Sequence, residues 1–153
     1  QAFEPNVDAY NKFLKTILKN SFKNIEISNF GLSNSNKKIK MITWFKHGIA
    51  KTNSIILEKS HDMRNSKIFE ANLRIGDEII NISDKKIVLK IDVEGHELSV
   101  LDGLKSLLNK NKSLILIEIG DEKFEKVNKY LSEKNFRIIF KSKYRLDYIY
   151  SNL

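Results

Sequence analysis

Titratable side chains crowd the end of one apolar segment, which begins at Ile87 and reads IVLKIDVEGHELSVLDGL. Lys90, Asp92 and Glu94 alternate with apolar residues, so in a strand all three would lie on one face. Ionisable groups are costly to bury unless they are paired, hydrated or used, and ligands of open α/β sheets bind at the carboxyl ends of strands. The candidates for catalysis are therefore Asp92, Glu94 and His96. The imidazole of His96 suits a general base, because histidine titrates near neutral pH.

The same cluster has two other interpretations. Asp92, Glu94, His96 and Glu97 could hold a divalent cation, since oxygen ligands suit Mg²⁺, although D-x-E-x-H-E is not a metal-ligand signature by itself. His96 and Glu97 could instead cap the following helix and complement its dipole. Binding of a divalent metal ion therefore remains one of the alternatives, and no residue is assigned as its ligand.

The elements around this cluster follow the pattern strand, turn, helix. The β-branched run before Gly95 predicts a strand, and leucines at helical spacing after it predict a helix. Residues 113–119, SLILIEI, form a near-continuous apolar run that is typical of a central parallel strand. A helix at 121–134 and two strands at 136–141 and 146–150 complete the chain. Strands joined by so short a link pair antiparallel.

One charged residue interrupts each of these two apolar strands. If the strands that contain Lys90 and Glu118 lie side by side, both side chains point into the same layer near the strand ends. We therefore predict that Lys90 and Glu118 form a largely buried ion pair, whose disruption would be strongly destabilising.

The first part of the chain also has the pattern strand, helix, strand. Residues 1–4 resemble the end of a strand, and Asn6, which follows a proline, fits the cap of a helix. Apolar residues at helical spacing predict that this helix spans residues 6–20. A short strand at 25–27 and a loop at 29–34 follow, which completes a βαβ rhythm.

Residues 35–86 form a predicted strand-rich insertion. Alternating apolar and polar residues predict three strands, at 38–45, 54–58 and 68–75. A polar loop is expected at 59–67 and a helical turn from Gly76 through Ile82. We expect the strands to pair antiparallel at the edge of the main sheet. Packing or surface exposure is the default for three residues of this insertion, Trp44, His47 and His61.

Size and composition limit the class of protein. A chain of 153 residues is long enough for one domain with a real core, and 41% hydrophobic and 30% charged residues suit a globular protein. The absence of cysteine excludes disulfides, thiolate metal sites and cysteine nucleophiles. No run of about 18 apolar residues indicates a membrane span. The N-terminal residues do not resemble a signal peptide, so a cytoplasmic location is expected.

The net charge of +8 admits an anionic partner. The lysines are scattered, and lysine, asparagine and isoleucine are abundant together, as in proteins of A/T-rich genomes. No segment matches a nucleic-acid-binding motif, so no nucleic-acid partner is expected.

Four motifs fall in an order and spacing that resemble the FkbM-type S-adenosylmethionine-dependent methyltransferases. They are Phe3-Glu4-Pro5-Asn6, Gly31-Leu32-Ser33, the KIDVEGHE block from Lys90 to Glu97, and Ile117-Glu118-Ile119. The KIDVEGHE block is the most specific of them, and the resemblance covers essentially residues 1–153. It implies an α/β, Rossmann-like methyltransferase three-layer sandwich with a mostly parallel sheet and a C-terminal antiparallel hairpin.

The resemblance also implies that a part of the domain is missing. Such enzymes begin with a strand and a glycine-rich D-x-G-x-N-x-G loop that holds the methionine part of the cofactor, and nothing in residues 1–153 matches that loop. The chain also lacks an initiator methionine. We therefore expect a single, N-terminally truncated methyltransferase domain. The resemblance does not decide whether this domain folds and binds the cofactor by itself.

The resemblance implies roles for individual residues. Glu4 would accept hydrogen bonds from the ribose hydroxyls of S-adenosylmethionine, or alternatively would be a solvated carboxylate near a helix N-terminus. The segment after the third family strand would lie near the adenine ring, or alternatively would be an ordinary loop. The implied cofactor-binding residues are Glu4, Asn6, Gly31, Leu32 and Ser33.

The implied activity is methyl transfer from S-adenosylmethionine to a hydroxyl of a sugar or secondary metabolite, with Asp92, Glu94 and His96 in catalysis. An in-line displacement needs an acceptor held against the methyl group, and a base if the acceptor is a hydroxyl. Two alternatives are an incomplete or inactive module that retains only the fold, and a basic domain that binds nucleic acid or anionic glycan. Steeply salt-dependent binding to DNA or RNA would favour the basic domain.

Overall fold

The computed structural model describes residues 1–46, 49–55 and 66–153. These residues form two compact units, Gln1–Arg74 and Ile75–Leu153, which are called the first and second unit below. Both units combine helices with sheets, as the α/β prediction requires. The assignment of the chain to a single methyltransferase domain stays a prediction, as does the placing of residues 35–86 as an insertion.

The strands and helices alternate along much of the chain. The strands are β1 Ala2–Phe3, β2 Ile27–Ser28, β3 Gly31–Ser33, β4 Lys37–Lys46, β5 Ile49–Ile55, β6 Ser66–Ile75, β7 Lys86–Ile91, β8 Lys112–Glu118, β9 Arg137–Lys141 and β10 Asp147–Ser151. The helices are α1 Val7–Lys19, α2 Gly76–Ile79, α3 Glu97–Gly103, α4 Lys105–Lys110 and α5 Asp121–Ser132.

The first unit begins with the predicted strand, helix and strand. β1 and β2 pair in parallel, and α1 connects them. Asn6 caps α1 as predicted, because its side-chain oxygen accepts hydrogen bonds from the backbone amides of Asp8, at 2.9 Å, and Ala9, at 3.2 Å. The predicted βαβ rhythm is thereby confirmed at the start of the chain.

A second sheet of the first unit has the strand order β3-β6-β4-β5. β4 pairs antiparallel with both β5 and β6, so the prediction of antiparallel pairing in this region is confirmed. The prediction of a loop at 29–34 is wrong at Gly31–Ser33, which forms β3 because its backbone pairs with β6. The predicted strand at 54–58 begins earlier, at Ile49. Several predicted features lie outside the described residues. They are the rest of that strand, most of the predicted loop at 59–67, His47 and His61.

The sheet of the second unit has the strand order β7-β8-β10-β9. β7 and β8 are parallel, whereas β10 is antiparallel to both β8 and β9, which confirms the predicted hairpin. One face of this sheet is buried, and it contributes the fully buried Ile115, Ile117 and Ile119. Leucines from α3 and α4 pack into the same core. Pairing across the described residues is mixed, so the expectation of a mostly parallel sheet is not met.

The predicted helix after Gly95 is broken in two at Leu104. α3 ends at Gly103 and α4 starts at Lys105. The carboxylate of Asp77 accepts hydrogen bonds from the backbone amides of Ser106, at 2.7 Å, and Leu107, at 2.8 Å. The side chain of Asp77, which is distant in the sequence, thus satisfies the free amides at the start of the new helix. Leucine periodicity alone does not predict this break.

The predicted buried ion pair between Lys90 and Glu118 is wrong. Lys90 Nζ lies 2.6 Å from a carboxylate oxygen of Asp92, and their side chains are 63% and 44% exposed. The side chain of Glu118 is also exposed. The face of the sheet that carries these residues is open at this end, so a solvated pair between near neighbours replaces the buried one. Such exposed pairs contribute about 0–1 kcal/mol to stability.

Candidate active site

The catalytic candidates lie on a strained turn at the carboxyl end of β7. The strand ends at Ile91, three residues before Glu94. Glu94 has a φ of 49° and Gly95 a φ of 98°. A positive φ is costly for a residue with a Cβ and persists only where surrounding contacts enforce it. The prediction that Lys90, Asp92 and Glu94 share one strand face is therefore wrong at Glu94, which is turned out of the strand.

The contacts that enforce this turn converge on Gly95. Its backbone amide donates a hydrogen bond to Glu97 Oε1 at 2.6 Å, and its carbonyl accepts one from Lys123 Nζ at 2.6 Å. A Cβ atom at this position would overlap the ammonium group of Lys123. Glycine is thus favoured here by its positive φ, whereas a Cβ would displace the flexible lysine from its hydrogen bond to the carbonyl.

Glu97 is a buried carboxylate, with 2% of the residue exposed. Its Oε1 bonds to Gly95, but its Oε2 is buried without a hydrogen-bond partner among the described residues. Buried polar oxygens without a hydrogen-bond partner are costly and rare. Glu97 therefore holds the turn at an energetic cost, which is typical of functional sites.

Glu94 is the catalytic candidate with a perturbed acidity. Partial burial is the largest cause that raises the pKa of the Glu94 carboxyl, followed by the negative charges of Asp92, Glu118 and Glu97. A carboxylate with a raised pKa is a stronger proton acceptor. The raised pKa is thus compatible with the predicted role of Glu94 in proton transfer, which stays a prediction.

His96 lies half-buried at the position that precedes α3. Its backbone amide donates to the carbonyl of Val93 at 3.2 Å, which closes the turn. Its side chain makes no capping hydrogen bond to α3, so the capping interpretation of His96 is wrong. Its role in catalysis stays a prediction.

In the first unit, Glu4 follows β1. Its backbone amide donates to the carbonyl of Ser28 at 3.0 Å, and its Oε1 accepts from the backbone amide of Asn6 at 2.8 Å. Burial raises the pKa of the Glu4 carboxyl, and the hydrogen bond from Asn6 partly offsets this rise. Glu4 is thus a fixed, partly desolvated carboxyl with an amide donor beside it.

The side chain of Asn6 is fully engaged inside the first unit. Besides capping α1, its Nδ2 donates to Thr43 Oγ1 at 3.1 Å, and the residue is 8% exposed. Asn6 therefore ties the start of α1 to β4. Its predicted contact with a cofactor remains untested.

The Gly31-Leu32-Ser33 motif is a strand whose residues alternate in burial. Gly31 and Ser33 are buried, whereas Leu32 is half-buried. A Cβ atom on Gly31 would come within 2.8 Å of the Leu73 side chain and 3.5 Å of Pro5. The first unit thus brings the segment after β1 close to the Gly31 motif, although the cofactor roles of these residues stay predictions.

The sequence does not predict the roles of Glu97 and Lys123 in holding this turn. The pattern suggests Glu97 as a helix-capping residue or a metal ligand, although its spacing of two residues from a turn glycine fits the hydrogen bond that it accepts. Nothing in the sequence links Lys123 to Gly95, which lies 28 residues away.

Among residues 1–46, 49–55 and 66–153, no three histidine, aspartate and glutamate side chains are grouped as ligands of a metal ion, and this includes the cluster at Asp92–Glu97. Within the same residues, no helix has the length and apolar character needed to cross a bilayer.

The sequence matches the methyltransferase FkbM domain over residues 2–138. The structure is similar to the crystal structure of methyltransferase FkbM from Methylobacillus flagellatus KT, with a TM-score of 0.61 and 17% sequence identity. The likeness covers 97% of this chain and 35% of that one, so the chain spans about a third of that protein's length and shares its fold. No curated protein matches the sequence. Because the family match covers most of the chain, the chain belongs to the FkbM methyltransferase family.

Proposed function

We propose that the chain is part of an S-adenosylmethionine-dependent O-methyltransferase with a Rossmann-like three-layer fold. The acceptor would be a hydroxyl of a sugar or secondary metabolite. Family membership supports the reaction class. The observation that carries the proposal is Glu94, a carboxyl held in a left-handed turn after a parallel strand, with a pKa raised by burial and by neighbouring carboxylates.

The cofactor supplies, when bound, an activated methyl group on a positively charged sulfur. Glu4 fits the ribose of such a cofactor: Asn6 engages its Oε1, while its Oε2 has no hydrogen-bond partner among the described residues and can accept from a hydroxyl. Asn6 acts through its backbone amide. Leu32, half-buried between two buried residues, offers an apolar contact for adenine, and Gly31 and Ser33 shape the strand that presents it.

The acceptor hydroxyl loses its proton as its oxygen gains the methyl group. Glu94 takes up this proton at a carboxylate oxygen, since its raised pKa makes it the better base. Asp92, paired with Lys90 at 2.6 Å, orients the acceptor, and His96 provides a second proton acceptor. Glu97 and Lys123 hold the turn that presents these groups.

The test is a calorimetric titration of S-adenosylmethionine into this chain and into two variants. Glu4→Gln should weaken binding roughly tenfold or more, since hydrogen bonds to a charged group contribute about 1.5–3 kcal/mol. Glu26→Gln is the matched control, because Glu26 is an exposed glutamate of the same unit. It should leave the affinity unchanged.

Two outcomes would overturn the proposal. If neither the unaltered chain nor a version extended at its N-terminus with the glycine-rich strand and loop binds the cofactor, the alternative of an inactive module that retains only the fold is favoured. If Glu4→Gln and Glu26→Gln weaken binding equally, Glu4 is not the ribose ligand and any loss reflects net charge.

A further inference from the structure

A second concave site lies within the second unit, at the amino ends of β7 and β8. These are the ends of the strands opposite to the Asp92–Glu97 turn. The cavity has a volume of about 720 Å³, which falls in the usual range for small-molecule sites. The C-terminal ends of α4 and α5 also contribute to its wall.

The charges around this cavity are unbalanced. Two carboxylates line it, those of Asp84 and Glu133, and the second lies 4.0 Å from Lys129 outside the cavity. The lining contains five lysines, Lys85, Lys86, Lys110, Lys112 and Lys134. The cavity therefore has a clear excess of positive charge.

The strongest sign of a ligand is the placement of two of these lysines. Lys86 and Lys112 are direct partners in the register of the parallel strands β7 and β8, and both are exposed. Like charges directly opposite each other on neighbouring strands destabilise a sheet. Within the described part of the chain, no carboxylate lies within 4.0 Å of either ammonium group. Lys112 Nζ donates a hydrogen bond to the uncharged carbonyl of Asn152 at 3.2 Å. An anion bound between the two ammonium groups would remove this electrostatic repulsion.

Favourable interaction with helix dipoles explains only some of these lysines. Lys110 lies in the last turn of α4 and Lys134 follows the end of α5, where a positive charge complements the helix dipole. Lys112 stands two residues past the end of α4, the same position that Lys134 has relative to α5, so the dipole of α4 also favours it. Lys85 and Lys86 flank and start β7, so no helix dipole explains them.

The backbone that carries these lysines is held rigidly by two asparagines. Asn111 is 4% exposed, and its side chain accepts from the amide of Lys85 at 3.0 Å and donates to the carbonyl of Ile82 at 2.9 Å. Asn152 accepts from the amide of Ser113 at 2.6 Å and donates to the carbonyl of Asn111 at 3.2 Å. A fixed backbone lowers the entropic cost of binding.

From the cavity, its excess of lysines and the cross-strand pair, we propose that this site binds a soluble ligand with two or more phosphate groups. Lys86 and Lys112 bind one phosphate between them, and Lys85 and Lys110 bind the next. Lysine is a common phosphate ligand that acts as a point charge. None of the described lining residues is aromatic, so the cavity lacks the stacking surfaces with which proteins hold single-stranded nucleic acid.

The test is calorimetric titration of tripolyphosphate and of inorganic phosphate into the chain at low ionic strength. Tripolyphosphate should bind at least about tenfold more tightly than phosphate, since it reaches more lysines. The double substitution Lys86→Gln/Lys112→Gln should weaken tripolyphosphate binding at least about tenfold. The matched control, Lys15→Gln/Lys19→Gln on α1, removes the same charge and should change the affinity less than about twofold.

A thermal melt without ligand shows that the double variant is folded. Its melting temperature should equal or exceed that of the unaltered chain, because a like-charge pair has been removed. Equal loss of affinity in both double variants, or no binding of tripolyphosphate by the unaltered chain, would overturn the proposal. So would binding to vesicles that contain phosphatidylserine, or to duplex DNA, without binding to tripolyphosphate.

Discussion

Glu4 and Glu94 are glutamates of different units, and burial raises the pKa of both, but their neighbours act in opposite directions. Burial raises the pKa of Glu4, but the amide of Asn6 donates to its carboxylate and opposes the rise. Burial also raises the pKa of Glu94, and there Asp92, Glu118 and Glu97 add to the rise. The amide beside Glu4 favours the anionic form of that carboxyl, which can accept hydrogen bonds from hydroxyls. The carboxylates around Glu94 favour the protonated form of that carboxyl.

Substitution of the glycine beside Glu94 should have the largest effect. We expect Gly95→Ala to lower the free energy of unfolding by about 2–3 kcal/mol, because alanine resists a positive φ and its Cβ would push Lys123 away from its hydrogen bond to the Gly95 carbonyl. Urea denaturation measures this loss. A carbon-detected NMR titration should show the Glu94 pKa moving towards its ordinary value while that of Glu4 is unchanged.

The control for this substitution is Gly120→Ala. Gly120 has a φ of −61°, and the nearest atoms to an added Cβ belong to the flexible side chain of Glu122. We expect a loss below about 1 kcal/mol. Equal urea midpoints for the two alanine variants would refute the account of the Gly95 turn.

Asn6→Ala should have the next largest effect, a loss of about 2 kcal/mol. It removes a helix cap and leaves the buried Thr43 hydroxyl without this donor. The backbone amide that donates to Glu4 is retained, so the Glu4 pKa should change little. Asn20→Ala, at the exposed end of α1, is the control and should cost less than about 0.5 kcal/mol. A large fall or rise in the Glu4 pKa on Asn6→Ala would show that the side chain, rather than the amide, sets it.

Glu94→Gln should have the smallest effect on stability and one that depends on pH. Folding raises the pKa of Glu94 above its ordinary value of 4.5, so folding favours the protonated carboxyl. The stability from this group is fully present below the ordinary pKa and is lost as the pH rises through the raised value. We therefore expect the variant to be more stable than the unaltered chain at pH 7, by less than about 0.5 kcal/mol because solvent screens this carboxyl.

The pH series also provides the comparison with Glu4. Near pH 3 the carboxyls of Glu4 and Glu94 are both protonated, so the Glu94→Gln variant and the unaltered chain should have equal melting temperatures. Glu4→Gln should also show a gain at pH 7, which the hydrogen bond from Asn6 reduces. A Glu94→Gln variant that is less stable at pH 7 than the unaltered chain would contradict the raised pKa.

Local signals predicted a large part of the fold. Asn6 was identified as a helix cap because an asparagine after proline precedes an apolar helical repeat. Gly95 was identified as a turn because a β-branched run stops before it, and the hairpin of β9 and β10 follows from its short link. The KIDVEGHE block led to the family, and the match over residues 2–138 confirms that identification.

The errors arose where distant parts of the chain meet. Gly31–Ser33 forms a strand only because β6 pairs with it, some 40 residues later along the chain. The break at Leu104 depends on Asp77, which hydrogen-bonds to amides 29 and 30 residues away. Lys90 pairs with Asp92 because its face of the sheet is exposed, a property that alternation of residue types does not reveal.

The sequence by itself determined the family, the order of most elements, and the residue types near the candidate site, since these depend on local propensity and motif spacing. Tertiary structure alone decided which charges are buried and which atoms hold them. It turned Glu94 out of its strand, buried Glu97, and brought Lys123 to the carbonyl of Gly95. It also aligned Lys86 with Lys112 through the register of two strands. The physical reason is that burial and contact depend on the whole packed arrangement, whereas helix caps and turns depend on a few neighbouring residues.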